Sequence, residues 1–193
     1  MRRVLCSILL GLAAGCAAPE TTGLEQFDQP NTILRAEIQR RIDVVPMQRD
    51  MELLLNVTWL ATRGEPAIPQ LVQALENGNP KIRSHAAWAL GRIRDVRTVP
   101  FLEQRLGDPD PVVELEVASA LLNMNNDRGV PALIAGLGSA DQSYRYRCHE
   151  DLRAWSGMDL GYDHMEQDPA LRETAVRRWM AWWNDKSGCK VFP

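Results

Sequence analysis

The chain has 193 residues, of which 24% are charged and 45% are hydrophobic, and its formal net charge is −3 at pH 7. This length is enough for one domain with a continuous core. Its only lysines are Lys81, Lys186 and Lys190, and no basic run alternates with aromatic residues. A nucleic-acid partner is therefore not predicted, because binding to phosphates requires a basic surface.

The first residues have the pattern of an export signal. The start MRR is basic, and residues 4–14 are largely apolar but too short to cross a bilayer as a helix. Small residues then precede Cys16, which is typical of a lipoprotein signal, so we predict removal of residues 1–15 and acylation of Cys16. A soluble secreted protein, cleaved beside the same small residues, is the alternative. By resemblance to enterobacterial sorting, Ala17 after the cysteine favours the outer membrane over the inner one.

The next segments predict a tether and a first helical hairpin. Residues 16–30 contain proline, threonine, glycine and acidic residues without periodicity, so we expect a flexible tether between the lipid and the fold. Asn31 can cap a helix that runs to about Val44, and residues 51–62 form a second, more apolar helix. We interpret residues 31–63 as a degenerate N-terminal cap repeat, one face of which meets water.

A fixed spacing organises the middle of the chain. Pro69, Pro100 and Pro131 recur every 31 residues, and Leu71 and Leu75 recur with the same step. A spacing of this size is typical of a solenoid. The predicted repeats are residues 64–94, 95–125 and 126–157.

Each repeat predicts a hairpin of two helices, which we call helix A and helix B. In the first repeat, the apolar residues of helix A fall on one helical face, and Asn79-Pro80 then provides the N-cap and first position of helix B. Alanines in helix B allow a neighbouring helix to approach closely. The apolar positions are Ile68, Leu71, Val72 and Leu75 in helix A, and Ile82, Ala86, Ala89, Leu90 and Ile93 in helix B.

The motifs AIPxLxxAL and IRxxAAxALGRI resemble the bacterial HEAT-like repeats that are named after phycobilisome lyases. The resemblance extends roughly from Ile38 to Ala154 and implies an all-α interaction scaffold. Some relatives of this type attach bilins to light-harvesting proteins, but such repeats also occur in many unrelated bacterial proteins. The third repeat departs from the pattern at Cys148, His149 and Asp151. Its helix B is therefore expected to be loosely packed or to be covered by something bulky.

The repeat period stops after Trp155, where a different C-terminal unit begins. Ser156 to Gln167 is predicted to be a loop, and Asp168-Pro169 starts a helix with a broad apolar stripe. We expect residues 158–185 to form a C-terminal cap, followed by a tail at residues 186–193. The predicted fold class is thus an all-α, short HEAT-like α-solenoid of helical hairpins with a C-terminal capping helix.

Catalytic and metal-binding motifs are not recognisable in the sequence. No GxSxG elbow and no glycine-rich phosphate loop is present. A metal cluster is conceivable near the end of the third repeat, but none of its residues follows a known ligand spacing. We predict a non-enzyme without a cofactor or a metal, in which these side chains form ordinary hydrogen bonds. The conceivable ligands are His149, Glu150, Asp151, Asp159, Asp163 and His164.

Two cysteines remain after loss of the predicted signal and acylation of Cys16. In an oxidising compartment Cys148 and Cys189 would be free to form a disulfide, which would stabilise the fold by about 3–4 kcal/mol. The alternative is a free thiol at Cys148, because this residue occupies the core position that Ala86 holds in the first repeat.

Another repeated position carries alternating charge. Arg83, Glu114 and Arg145 occupy equivalent places in successive repeats. This spacing predicts a solvated ladder of charges along one edge of the stack. Exposed pairs of this kind contribute about 0–1 kcal/mol each.

Helix B also predicts a partner-binding face. If Ile82, Ala86 and Leu90 face inward, then Ser84 and Trp88 point towards the concave side of the solenoid. The 31-residue step extends these two positions into a row with exposed aromatic and aliphatic side chains, which is typical of an interface. Coverage by the N-terminal segment or by the loop after the third repeat is the alternative. The predicted face is Leu53, Val57, Ser84, Trp88, Leu115, Ser119, Tyr146 and Glu150, flanked by Lys81, Arg92, Glu116 and Arg147.

These patterns together predict a non-catalytic, lipid-anchored scaffold that binds another protein in the bacterial cell envelope and faces the periplasm. Its membrane contact would be the lipid on Cys16. Two alternatives remain: an accessory factor or subunit of an envelope enzyme, including lyase-type cofactor attachment, and a purely structural envelope protein.

Overall fold

A computed structural model describes residues 23–188, and this part of the chain folds into nine α-helices without β-strands. The predicted all-α class is therefore confirmed. No helix within this range has the length and apolarity that a bilayer crossing requires. The helices are α1 (Thr32–Asp43), α2 (Asp50–Thr62), α3 (Ile68–Ala74), α4 (Pro80–Ile93), α5 (Val99–Glu103), α6 (Pro111–Asn123), α7 (Val130–Gly136), α8 (Gln142–Ser156) and α9 (Pro169–Ser187).

The first eight helices form four hairpins. The second helices of the hairpins, α2, α4, α6 and α8, pack side by side in chain order, and we call them the B helices. The first helices, α1, α3, α5 and α7, are the A helices, and each packs against its own B helix. A short 3₁₀ turn precedes each of the last three A helices at the same place in the repeat, at Glu65–Ala67, Val96–Thr98 and Asp127–Gly129. The 31-residue period thus describes both the helices and their connections.

Side-chain caps start the helices where the sequence predicts them. A carboxylate or amide oxygen at the N-cap accepts a hydrogen bond from a backbone N–H of the first turn, which has no acceptor within the helix. These caps confirm the predicted starts of helix α1, of the last three B helices and of α9. The capping residues are Asn31, Asn79, Asp110, Asp141 and Asp168.

Each interior B helix is buried on two sides. Val113 and Val117 of α6 belong to the hydrophobic cluster shared with α4, whereas Leu115 and Ala118 belong to the cluster shared with α7, α8 and α9. We call these the backward side and the forward side of a B helix. On the forward side of α4, a Cβ built on Gly91 would lie 2.8 Å from the Cα of Ala120. Glycine there lets the two backbones approach closely.

The N-terminal segment packs onto the fold. Leu24 and Phe27 are buried, and the guanidinium of Arg97 lies 4.7 Å from the ring centroid of Phe27. Arg97 also donates a hydrogen bond of 2.9 Å to the Gln26 carbonyl. The predicted flexible tether is therefore wrong for residues 23–30, because two apolar side chains in this segment find space in the core. The predicted signal, Cys16 and the rest of the tether lie outside the described residues.

A loop and α9 cover the last B helix. The hydroxyl of Tyr162, in the loop, donates to the carbonyl of Leu137. In α9, Trp179 is fully buried, and its ring centroid lies 6.2 Å from that of His149 in α8. The expectation of a bulky cover over the third repeat is thus confirmed. The predicted apolar stripe of α9 is wrong at Leu171, which is 57% exposed.

Candidate functional site

The predicted partner-binding face is largely buried between neighbouring B helices. Leu53, Ser84 and Leu115 lie on the forward sides of their helices, and the last two are buried. Tyr146, at the equivalent place in α8, packs its ring against His164 with centroids 4.9 Å apart. Leu115 is therefore withdrawn from the open surface, whereas Leu53 and Ser84 still reach the wall of a surface depression and Tyr146 is 47% exposed.

The second predicted row, which extends Trp88 by the 31-residue step, reaches the surface only in part. Val57 and Ser119 are buried, while Trp88 and Glu150 are half-buried. The expectation of an exposed row is therefore wrong for Val57, Ser84, Leu115 and Ser119. The physical reason is that each B helix packs sideways against the next, so the flank beside the open surface is covered.

The open surface lies one residue further along each helix. Leu54, His85, Glu116 and Arg147 repeat with the 31-residue step and line depressions on the B helices. Three depressions of about 440, 110 and 330 Å³ follow one another, and each shares lining residues with the next. We call this surface the B-helix groove. Its lining includes Asp50, Leu53, Leu54, Val57, Ser84, His85, Trp88, Gly91, Arg92, Arg94, Glu116, Ser119, Asn123, Arg147, Asp151 and Trp155.

The first part of the groove, between α2 and α4, has apolar side chains on both walls beside polar ones. Leu53, Leu54 and Val57 form one wall, and the indole of Trp88 lies opposite on α4. The exposed guanidinium of Arg92 lies 4.9 Å from the centroid of the Trp88 ring. Such a cation–π contact holds a positive charge beside an apolar surface.

Charged groups occupy the centre of the groove. Arg147 and Glu116 form an ion pair of 2.7 Å that joins α8 to α6. The hydroxyl of Ser119 donates to Asp151, which ties the same two helices together. Burial raises the pKa of the Asp151 carboxyl, and the bond from Ser119 partly opposes this shift. Burial also lowers the pKa of His85, whose Nδ1 lies 2.7 Å from the Lys81 carbonyl.

The groove residues that sequence reasoning missed include Asp50, Leu54, His85, Gly91, Arg94, Asn123, Asp151 and Trp155. A signal for three of them was present, because Leu54 and His85 occupy the repeat position of the predicted flanking residues Glu116 and Arg147, and Asn123 occupies that of Arg92. The sequence indicates Asp151 only as a conceivable metal ligand.

The side chains considered as metal ligands do not converge. His149 packs against Tyr162, with ring centroids 5.2 Å apart, and His164 packs against Tyr146. Asp151 points instead into the groove, where it meets Ser119. Within residues 23–188, no three His, Cys, Asp or Glu side chains come close enough to hold a metal ion.

Cys148 lies in the core and not in the groove. It is fully buried, and burial raises the pKa of its thiol to about 12. A thiol with such a pKa is a poor nucleophile at neutral pH. Cys189 lies outside the described residues, so its disulfide with Cys148 stays a prediction.

The predicted charge ladder does not form as a solvated edge. Arg83 donates two hydrogen bonds to Asp108, whose carboxylate is almost fully buried. Arg145 is itself buried and donates to backbone carbonyls, those of Ser139, Ala140 and His164. These arginines hold loops in place and are not available to a ligand.

Comparisons with known proteins agree with this architecture. Residues 68–153 match the profile of HEAT repeats. No curated protein matches the chain. Among solved structures, the complex of CpcE and CpcF of phycocyanin lyase from Nostoc sp. PCC7120 is similar, with a TM-score of 0.52 and 21% identity over 74% of this chain and 99% of that chain. At this identity the likeness concerns the fold alone.

Proposed function

Because residues 68–153 of this chain are HEAT repeats, we propose that the protein is a non-catalytic scaffold that binds a segment of another protein in the B-helix groove. HEAT repeats and the solenoid fold support a role in protein interaction. The observation that carries the proposal is the continuity of the groove across four B helices.

The dimensions of the groove fit a peptide segment. Neighbouring packed helices are about 8–10 Å apart, so four B helices present a surface about 25–30 Å long. The groove begins with a depression whose walls carry Trp88 and the leucines of α2, and it continues past the Glu116–Arg147 pair. An apolar anchor with a polar continuation is the usual composition of a peptide-binding surface.

The groove is also rigid where it is charged. Glu116, Arg147, Ser119 and Asp151 satisfy one another across α6 and α8, so little ordering is needed when a partner binds. Arg92 forms no ion pair within residues 23–188 and is exposed beside Trp88. We therefore expect a partner segment that places a large apolar side chain on Trp88 and a carboxylate near Arg92.

The binding test uses a photo-crosslinking amino acid in the full chain in cells. We expect a discrete crosslinked protein when it replaces Asn123, which is exposed in the groove, and no such product when it replaces Gln73 on the A-helix side. Trp88→Ala should reduce the product at least fivefold at a temperature at which the variant is fully folded, since truncating an interface anchor costs more than about 1 kcal/mol. Tyr146→Ala should leave the yield unchanged, because Tyr146 does not line the groove.

The same experiment separates the alternative functions. An accessory subunit of an envelope enzyme predicts that the crosslinked partner is an enzyme, as in the lyase complex that shares this fold. A purely structural role predicts no product above that from Gln73. Equal products from Asn123 and Gln73, or an undiminished product with Trp88→Ala, would contradict the groove proposal.

We further propose that the scaffold is lipid-anchored through Cys16 and faces the periplasm, with the outer membrane favoured. The support is the sequence motif around Cys16. Cys16→Ala should release the protein from membranes and abolish incorporation of a labelled acyl chain. If the variant still fractionates with membranes and the wild type incorporates no label, the anchor is wrong.

A further inference from the structure

The first B helix, α2, has a stacking side that no other element of the described chain covers. The 31-residue step places Met51 and Leu55 at the positions of Ile82 and Ala86 in α4. In α4 and α6, these positions form the backward side, which packs against the preceding B helix. The complete set on α2 is Met51, Leu55, Thr58 and Thr62, equivalent to Ile82, Ala86, Ala89 and Ile93 in α4 and to Val113, Val117, Ala120 and Met124 in α6.

The exposed fraction of the side chain at these equivalent positions is much larger in α2 than in α4 and α6. Ile82 is 7% exposed and Val113 is fully buried, whereas Met51 and Leu55 are each 63% exposed. Met47, just before α2, is 72% exposed. A terminal repeat that faced only water would carry polar residues on its outer side, as solenoid caps generally do. The large apolar side chains of Met51 and Leu55 on the backward side of α2 are therefore typical of an interior stacking surface and not of a cap.

The other end of the stack is built differently. Exposed charged side chains lie along α9, including Glu173 and Arg177, which form an ion pair of 2.6 Å. That end has the polar outer side expected of a cap. The contrast indicates that the α2 end docks onto another surface.

We propose that the backward side of α2 packs antiparallel against the same side of α2 in a second copy of this chain, which forms a twofold dimer. The four positions are symmetric about the middle of the helix, as a self-complementary contact requires. Antiparallel packing sets Met51 against the partner's Thr62 and Leu55 against the partner's Thr58. It extends the row of packed B helices, in which α2 already contacts α4, across the twofold axis.

Charge complementarity favours a second copy of this chain as the partner of α2. At about 100° per residue, Glu52 and Arg63 lie on the same flank of α2, at opposite ends of the helix. Antiparallel pairing brings Glu52 towards the partner's Arg63, and it also aligns the two helix dipoles favourably. Neither residue forms an ion pair within residues 23–188.

The interface should be weak. A single pair of helices buries an area at the low end of specific interfaces, below about 1,200 Å² in total. We therefore expect a dissociation constant in the micromolar range.

Sedimentation of the purified full chain, in detergent, tests the dimer over protein concentrations of about 1 to 100 µM. We expect the wild type to dimerise, and Leu55→Glu to weaken the dimer at least tenfold because it places two carboxylates in the apolar contact. Leu171→Glu is the matched control, since Leu171 is a similarly exposed helical leucine at the other end of the stack. It should dimerise like the wild type.

A charge exchange identifies the antiparallel arrangement. Glu52→Arg and Arg63→Glu should each weaken the dimer, and the double variant should restore it. A monomeric wild type throughout this range, an unaffected Leu55→Glu dimer or a double variant no better than the single ones would overturn the proposal. At a protein concentration at which both variants are monomeric, a lower melting temperature for Leu55→Glu than for Leu171→Glu would overturn it too, because the α2 side would then be covered by its own chain.

Discussion

The two ends of the solenoid differ in whether the outer stacking side of the terminal B helix is covered. At the C-terminal end, the forward side of α8 meets the loop after α8 and helix α9, which bury His149 and Trp179. At the N-terminal end, the backward side of α2 exposes Met51 and Leu55. A repeat provides a stacking surface on both sides, but only added, non-repeating sequence covers it. One end of this chain carries that addition within the described residues, and the other does not.

Residue size at equivalent positions reflects this difference. Gly91 on the forward side of α4 meets the backbone of α6 directly. At the forward side of α8, the rings of Tyr146 and His149 meet the rings of His164 and Tyr162 instead. Repeat-to-repeat contacts therefore favour small or aliphatic side chains here, whereas the cap contacts use aromatic rings.

The largest expected effect on stability comes from a substitution at the covered, C-terminal end of the stack. Trp179→Ala removes a fully buried indole from the contact between α9 and α8 and should lower the free energy of unfolding by about 3–5 kcal/mol. Leu171→Ala, on the same helix but exposed, should change it by less than about 0.5 kcal/mol. Urea unfolding measures both. Similar losses for the two variants would show that α9 is not held through its buried stripe.

The loop of the covered end depends on Arg145. This buried guanidinium donates to the carbonyls of Ser139 and Ala140 at 2.8 and 2.9 Å and to that of His164 at 2.8 Å. Arg145→Lys keeps the charge but loses the planar fork, so we expect a loss of about 1.5–3 kcal/mol. Limited proteolysis should show faster cleavage in residues 157–168. Arg177→Lys, in an exposed ion pair, is the control, and equal cleavage of both variants would contradict this role.

An interior junction provides the reference for both ends. In Gly91→Ala the added Cβ would lie 2.8 Å from the Cα of Ala120, so α4 and α6 must separate. We expect a loss of about 1–3 kcal/mol in the free energy of unfolding. Gly78→Ala is the matched control, because its Cβ meets nothing within 4 Å. If the two alanine variants melt at the same temperature, the close approach of α4 and α6 at Gly91 does not contribute to stability.

The smallest expected effect concerns pH. Burial lowers the pKa of His149 below its usual 6.5, so the unfolded chain takes up a proton that the folded chain resists. Its contribution is present above pH 6.5 and is lost as pH falls through the lowered pKa, at up to about 1.4 kcal/mol per pH unit. His149→Gln should therefore show a flatter decline in unfolding free energy between about pH 7 and pH 5. Parallel profiles for the variant and the wild type would contradict this assignment.

The fold was predictable because its signals are local or periodic. An N-cap such as Asn79 or Asp110 acts on amides two or three residues away, so its effect is readable from the sequence. The groove was predictable only in part. Its predicted centre was Ser84, which is buried at the groove wall, whereas the more exposed lining is centred one residue further on, at His85. One residue rotates a helical side chain by about 100°. Periodicity shows that two flanks of helix B differ, but the contact with the next helix decides which one is buried.

The amino-acid pattern alone was sufficient for the repeat register, the helix starts and the all-α architecture, because these depend on short-range hydrogen bonds and on apolar periodicity. Tertiary contacts decided the surroundings of each repeated position. Arg83 and Arg145 are equivalent in sequence, yet one binds the carboxylate of Asp108 and the other holds the loop after α8. Ala86 and Leu55 are equivalent too, and the first is buried while the second is exposed. Burial depends on the neighbour that a position meets, and that neighbour comes from distant or non-repeating sequence.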